Sequence, residues 1–373
     1  MIQFLVPRGQ EFGVLNFAED QARGILDRVS MLNYEDLVYP PPSGGGPFVL
    51  SALDQLTPEG TEFLREWYDQ LVRTSPTIRV LNDPRATLCR FDLLDTLYHQ
   101  GLNRHRAARS TGPLDDLRFP VFIRNEHFHS GALSPLLNTV SELQVALARA
   151  TLLGHPREDL LVVEFVETVD ADGYYRKYAA HIVGEKIISR GLAVGTDWML
   201  KHGGSLRTRA TVLEQRAYVF ENPHEAELRQ IFAIGNTEYG RIDYAIKDGR
   251  IETWEINLNP TLGRGVGPRR PRDFPPDVEQ LRQEGQRQIA AQFEEAFFQI
   301  DLPSDPGDPH PAVPAASSVA RPSRMVRQPV RESGPISWLR RIPVLRSVLG
   351  RLFRFGAAVL TGIAGWFRRS PGR

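Results

Sequence analysis

The chain has 373 residues, 41% of them hydrophobic, and its 45 basic and 45 acidic side chains cancel to a formal charge of zero. A single cysteine, Cys89, excludes a disulfide scaffold and a Cys-ligated structural zinc site. Eight Arg and no acid fall in residues 336–373, so the preceding 335 carry 37 basic against 45 acidic groups, a net of −8; an acidic body with a basic tail argues against nucleic-acid binding.

The N-terminal segment MIQFLVPRGQEF has no basic region, apolar run or cleavage site of a signal peptide, which predicts a cytoplasmic protein. Residues 2–6 read as a short strand ending at Pro7, and 48–53 as a second strand after the loop PPPSGGGP. A helix follows from Pro58 to about residue 72, with Thr57 as N-cap and proline in its first turn. Residues 78–81 return as a strand, so 1–80 form a small open α/β unit. Residues 84–104 carry Leu88, Phe91, Leu94, Leu97 and Tyr98 at helical spacing, with Gly101 at the C-terminal end. A strand at 119–123 opens into the loop RNEHFHSG, and a helix is predicted over 135–152.

Residues 160–166 are an apolar strand, and 174–183 with 186–190 form a strand pair turning at Gly184-Glu185. Residues 212–220 fit helix or strand equally, and 223–234 read as helix. Strands at 241–246 and 250–256 flank Lys247-Asp248-Gly249, a hairpin signal. A Gln- and Glu-rich amphipathic helix over 276–298 closes the ordered body. Residues 301–335 are Pro-rich and read as a disordered linker. In the basic tail, Leu345, Leu349, Leu352, Val359, Ile363 and Trp366 recur at helical spacing. Its longest uncharged run, residues 355–367, is 13 long, whereas a bilayer span needs about 20. The tail therefore reads as an interfacial amphipathic helix on an anionic membrane surface, peripheral at the inner face; a helix docked on a protein partner and a tilted span are the alternatives.

The chemistry concentrates in RIDYAIKDGRIETWEINLNP, residues 241–260. Asp243 lies on one hairpin strand and Glu255 on the other, with Asn257 two residues further on the same face. Two carboxylates and an amide oxygen make a hard-oxygen site of the kind Mg²⁺ prefers. Ile242, Tyr244, Trp254 and Ile256 would alternate onto the opposite face. The bland reading is a solvated hairpin.

A strand Asp, then Glu-x-Asn followed by Asn-Pro, resembles the metal-binding end of the ATP-grasp superfamily, in its glutathione-synthetase and glutamate-ligase-like branch. Three upstream runs resemble the same family in order: NDPRATLCRFDLL from Asn82 with Gly101, FPVFIR from Phe119, and LLVVEFVE from Leu160. The resemblance covers about residues 78–300 and implies an ATP-grasp fold, α/β in class. It would comprise an N-terminal pre-grasp domain (1–80), a grasp domain (81–300), the linker (301–335) and the tail helix (336–373).

The resemblance also implies the cofactors ATP and Mg²⁺, the metal held by Asp243, Glu255 and Asn257. Arg90 and Arg124 would approach the phosphates, where the family often has Lys. Glu164, Phe165 and Val166 would line the adenine pocket together with Val162, and Glu167 would accept from ribose hydroxyls. Arg176 and Arg190 match phosphate- or substrate-facing cations. The loop at 125–131 departs from the family in having one glycine. Its His127 and His129 fit phosphate or substrate contact, a structural role, or a metal. Trp198, Lys201 and His202 belong to the substrate end, and Cys89 reads as a buried inert thiol.

The implied activity is ligation of a small carboxylate to an amine through an acylphosphate. A phosphotransferase acting on a hydroxyl and a silent nucleotide-binding scaffold are the alternatives. Glu255→Ala is expected to abolish Mg·ATP turnover with little loss of fold.

Overall fold

The computed structural model describes residues 1–42, 45–200, 205–263, 274–302 and 320–330. Residues 1–328 form one compact unit; of the second, 329–373, only two residues are described. The tail helix, Lys201, His202 and Gly44 lie outside the described residues.

The N-terminal unit is a four-stranded parallel sheet in the order β2-β1-β3-β4. It is built from β1 (Ile2–Val6), α1 (Phe12–Gln21), β2 (Val29–Asn33), β3 (Phe48–Leu50), α2 (Pro58–Thr74) and β4 (Val80–Leu81). β1 is central because almost every residue in it is buried. α2 starts where the sequence places it: Thr57 Oγ1 accepts from the Gly60 N–H at 3.0 Å, with Pro58 in the first turn. Its Phe63, Leu64, Trp67, Tyr68 and Leu71 then cover one face of the sheet.

The next layer holds α3 (Arg90–His99), β5 (Ala107–Arg109), β6 (Val121–Asn125), α4 (Val140–Leu152) and β7 (Leu160–Glu164). Its strands form an antiparallel sheet, β5-β7-β6. Both helices are shorter than their periodicity predicts. The Leu88 N–H donates to the Gly235 carbonyl, which holds 84–89 in a turn, so α3 begins only after Cys89. Residues 132–137 bridge to β6 through Val121–Leu137 and Arg124–Ala132, and α4 waits for its N-cap Thr139. The expected glycine stop of α3 is present at Gly101, with φ +69°.

The third layer is a four-stranded antiparallel sheet, β11-β10-β8-β9. It comprises β8 (Tyr175–Val183), β9 (Lys186–Gly195), α5 (Arg209–Glu221), α6 (Glu225–Ile234), β10 (Tyr239–Lys247) and β11 (Arg250–Asn257). The ambiguous stretch is helix α5, opened by a reciprocal Thr208–Thr211 cap. The β10–β11 turn has positive φ at both Asp248 and Gly249, as a two-residue hairpin requires. α7 (Pro276–Asp301) packs its Phe293 and Phe297 into the core shared with α1.

Two sheets are stapled by Asn82, held at φ +65°. Its amide nitrogen donates to the Leu50 and Tyr239 carbonyls, and its oxygen accepts from the Glu238 and Tyr239 N–H groups. β3 and β10 are thereby joined through one buried side chain.

The Pro-rich stretch expected to be a disordered linker is not all free of the body. Residues 320–328 run across the start of α2, forming a bridge between Leu56 and Val326. Met325 and Val326 are buried in the main core, which offsets the ordering cost of a segment with few other apolar residues. Among the described residues, no helix is long and apolar enough to cross a membrane.

Candidate active site

A cavity of about 290 Å³ lies between the β5-β7-β6 sheet and the β11-β10-β8-β9 sheet. One end is apolar, walled by Phe122, Phe165, Val166, Trp198 and Leu200. Trp198 packs against Phe122 and Phe165, with ring centroids 5.1 and 5.6 Å apart. The other end is charged: Arg124, Lys177 and Arg241 against Asp243 and Glu255, with His129 beside them.

The hairpin register explains the charged end. Asp243 pairs directly with Glu255, and Arg241 with Asn257, so all four side chains leave the same face. Alternation then fails once. Asp243 opposes Glu255 but Tyr244 opposes Thr253, which leaves Trp254 as the extra residue of a β-bulge. The bulge turns Trp254 into the cavity wall beside Glu255, correcting its expected place behind the sheet with Ile242, Tyr244 and Ile256. β9 repeats the device: Ala179 opposes Gly191 and Ala180 opposes Ser189, so Arg190 is the bulged residue.

Both carboxylates are ionised and already neutralised. Arg241 Nε donates to Asp243 Oδ1 at 2.7 Å, and Lys177 Nζ to Oδ2 at 3.1 Å. Burial pushes the Asp243 carboxyl up, but Arg241 and Lys177 outweigh it and the pKa is lowered. Glu255 Oε2 accepts from both the Arg90 and Arg124 guanidinium groups. Burial again opposes the charge on Glu255, yet Arg124, Arg90 and His129 hold it well below the usual carboxylate range. Burial and the neighbouring Arg90 bring Arg124 down to about 10.

The cations foreseen for phosphate divide. Arg124 reaches the cavity wall. Arg90 does not: it is 1% exposed, and its Nη1 donates to the carbonyls of Asn125, Glu126 and Phe128 at 2.6, 2.9 and 3.1 Å. It therefore shapes the loop that the sequence reading found poor in glycine. Its Nη2 lies 2.6 Å from His129 Nδ1, and His129 Nε2 lies 3.0 Å from Asp54 Oδ2.

Other foreseen residues fall elsewhere. Phe165 and Val166 line the apolar end, but Glu164 and Val162 alternate onto the α4 face of β7, away from it. Glu164 is locked there by Arg118 at 2.7 Å and Arg106 at 3.3 Å. Glu167 is exposed, and its carboxylate accepts from the Val169 N–H. Arg176 lines the cavity while pairing with Asp170, Asp172 and Glu214 at 2.6–2.8 Å. Arg190 donates twice to the Leu262 carbonyl and is outside the wall. Asn257 is also outside it, with Oδ1 accepting from the Asn259 N–H at 2.8 Å. Cys89, expected to be buried, is half-buried, and desolvation pushes its thiol up.

Lys177, Arg241 and Trp254 are cavity residues that the sequence reading did not assign. For Arg241 the signal was present, since it stands two residues before Asp243 on one strand. Among the described residues, no group of three or more His, Cys, Asp or Glu gathers as a metal site. The donor set that remains, two ionised carboxylates facing one cavity end, suits Mg²⁺ bound by one or two carboxylates and otherwise by water and phosphate.

No family model and no curated protein matches the sequence. Among solved structures the chain is similar to D-alanine–D-alanine ligase from Bacillus anthracis complexed with ATP, at 12% identity and TM-score 0.45, over 80% of this chain and 98% of that one. It is also similar to D-alanine–D-alanine ligase from Coxiella burnetii, at 11% and 0.45, over 80% and 95%. A third similar structure is a RimK-domain ATP-grasp protein from Sphaerobacter thermophilus, at 12% and 0.43, over 80% and 100%.

Proposed function

We propose that this chain is an ATP-grasp enzyme that ligates a small carboxylate to an amine at the expense of ATP. The observation that carries the proposal is the cavity, apolar at one end and cationic at the other, with two ionised carboxylates facing each other at the cationic end. The apolar end would take a base against the wall formed by Trp198, Phe165 and Val166. The cationic end offers Arg124, Lys177 and Arg241 to a triphosphate.

Charge balance links the metal to the nucleotide. Asp243 and Glu255 are already matched by Arg241, Lys177, Arg90 and Arg124, so a divalent cation adds uncompensated charge unless phosphates arrive with it. Bound Mg²⁺ would neutralise charge on the phosphates. Asp243 and Glu255 would hold it. Arg124 and Lys177 then turn from carboxylate to phosphate oxygens. A substrate carboxylate attacks the γ-phosphorus and releases ADP, and the amine displaces phosphate from the acylphosphate. Positioning and charge neutralisation do most of the work, so no single acid or base is needed.

The parallel sheet offers the acceptor an entry. Its connections reverse between β1 and β3, and open sheets bind ligands beyond the strand ends at such a point. There Gln10 links to Gln55 at 2.7 Å and to Asn259 at 2.9 Å.

The test is Mg·ATP-dependent ADP release across a panel of amino acids and small carboxylates, repeated with hydroxylamine. The wild type should release ADP with a carboxylate and yield a hydroxamate, and Asp243→Asn should lose both. ADP release without hydroxamate would mark a hydroxyl phosphotransferase. Absence of Mg·ATP binding by the wild type would sink the nucleotide reading altogether.

A further inference from the structure

The cavity wall carries His129 on a loop that is anchored from outside the cavity. The Glu126 N–H donates to the Asp159 carbonyl at 2.8 Å. The Asp159 carboxylate lies 3.3 Å from His127 Nε2, and His127 Nδ1 lies 2.8 Å from the Asp54 carbonyl. The same Asp159 oxygen receives Arg327 Nη1 at 2.9 Å. Arg327 belongs to the segment 320–328, far along the chain from either.

That segment is seated on α2 by several independent contacts. Thr57 N–H donates to the Met325 carbonyl at 3.0 Å, and Arg327 N–H to the Gln55 carbonyl at 2.7 Å. Thr57 Oγ1, besides capping α2, donates to the Arg324 carbonyl at 2.9 Å. Arg327 Nε donates to the Leu56 carbonyl at 3.1 Å. The seat needs a glycine at position 60, because a β-carbon there would overlap the Met325 carbonyl.

We propose that residues 320–328 are a latch on the cavity loop, with Arg327 the positioning residue that acts through Asp159 and His127. The physical reason is that Asp159 is an anchor common to the loop and the strap, beside the loop's ties from Arg109 to Glu126, from Asn125 to the His127 and Phe128 amides and from His129 to Asp54. Arg90 holds its carbonyls from one side, and Asp159 holds His127 and Glu126 from the other. Asp159 is shared between the loop and the strap, so the position of the His127–His129 run depends on a segment close in sequence to the basic tail. The inference does not depend on which ligand fills the cavity.

Hydrogen exchange on the full chain tests it without any ligand. Glu126, His127 and Phe128 have bonded amides and report the loop. Arg327→Ala should accelerate them about tenfold, the scale of one lost charge-assisted hydrogen bond, while α7 is unchanged. Arg327→Lys keeps the charge and should restore most of the protection. If Arg327→Ala fails to fold, Gly60→Ala lifts the strap from its seat by another route and should give the same pattern. Unchanged exchange in the loop while 324–328 exchange faster overturns the proposal, as does equal acceleration throughout residues 1–263. Neither result bears on nucleotide binding, which is measured separately.

Discussion

Glu255 Oε2 receives Arg90 and Arg124 and stands 3.4 Å from His129, in a residue only 8% exposed. The expectation that Glu255→Ala would leave the fold intact therefore does not suit this environment. Removing the anion strands two buried guanidinium groups, which costs about 3–5 kcal/mol. Glu255→Gln keeps an acceptor oxygen and the side-chain volume and should cost clearly less. Denaturant unfolding of the ligand-free variants checks the order; equal losses would mean that the arginines relax to solvent. Glu164 makes a pH-dependent prediction. Burial raises its carboxyl pKa, but hydrogen bonds and charge from Arg118 outweigh that and the folded value is lowered. A carboxylate lowered on folding stabilises above its unfolded pKa of about 4.3, and that stability is lost as pH falls through the folded value. Glu164→Gln should thus be less stable than wild type at pH 7, with the two stability curves converging in acid.

At the scale of elements, what was legible followed local rules. The α2 cap, the Asp248-Gly249 turn and the strand opening at Leu160, which ends at Glu164 rather than at 166, each depend on residues within one or two turns of one another. Helices α3 and α4 were overextended because periodicity cannot see the Gly235 carbonyl or the β6 edge that capture 84–89 and 132–137. Within the site, the facing of Asp243 and Glu255 followed from hairpin pairing. The inward turn of Trp254 did not, because a bulge adds one residue to one strand and reverses parity without a composition signal. Glu164 shows the converse. Its strand was read correctly, but which face met the cavity depended on α4 covering Leu160 and Val162.

For the whole molecule, the strap makes a chain-length prediction. Ending the chain after residue 330 should leave the melting of the body unchanged. Ending it after residue 319 removes Met325 and Val326 from the core, at about 1.5–3 kcal/mol each, and should lower the melting temperature by several degrees. Calorimetry on the two truncations distinguishes them, and equal melting would mean the strap contributes nothing to the core. For the basic tail we propose docking on anionic membrane. Both truncations should then be released from anionic vesicles.

The Asn82 staple has a mechanical consequence. With β3 and β10 riveted through one amide, the parallel sheet and the carboxylate hairpin travel as a single jaw. Under the proposed function, opening the cavity to a nucleotide would fall to the facing β5-β7-β6 layer with α4. That layer is tied across the mouth by Arg124 on Glu255 and by His129 on Asp54, and at its rear by Arg327 on Asp159, so its freedom to open would depend on how many of these ties a ligand replaces.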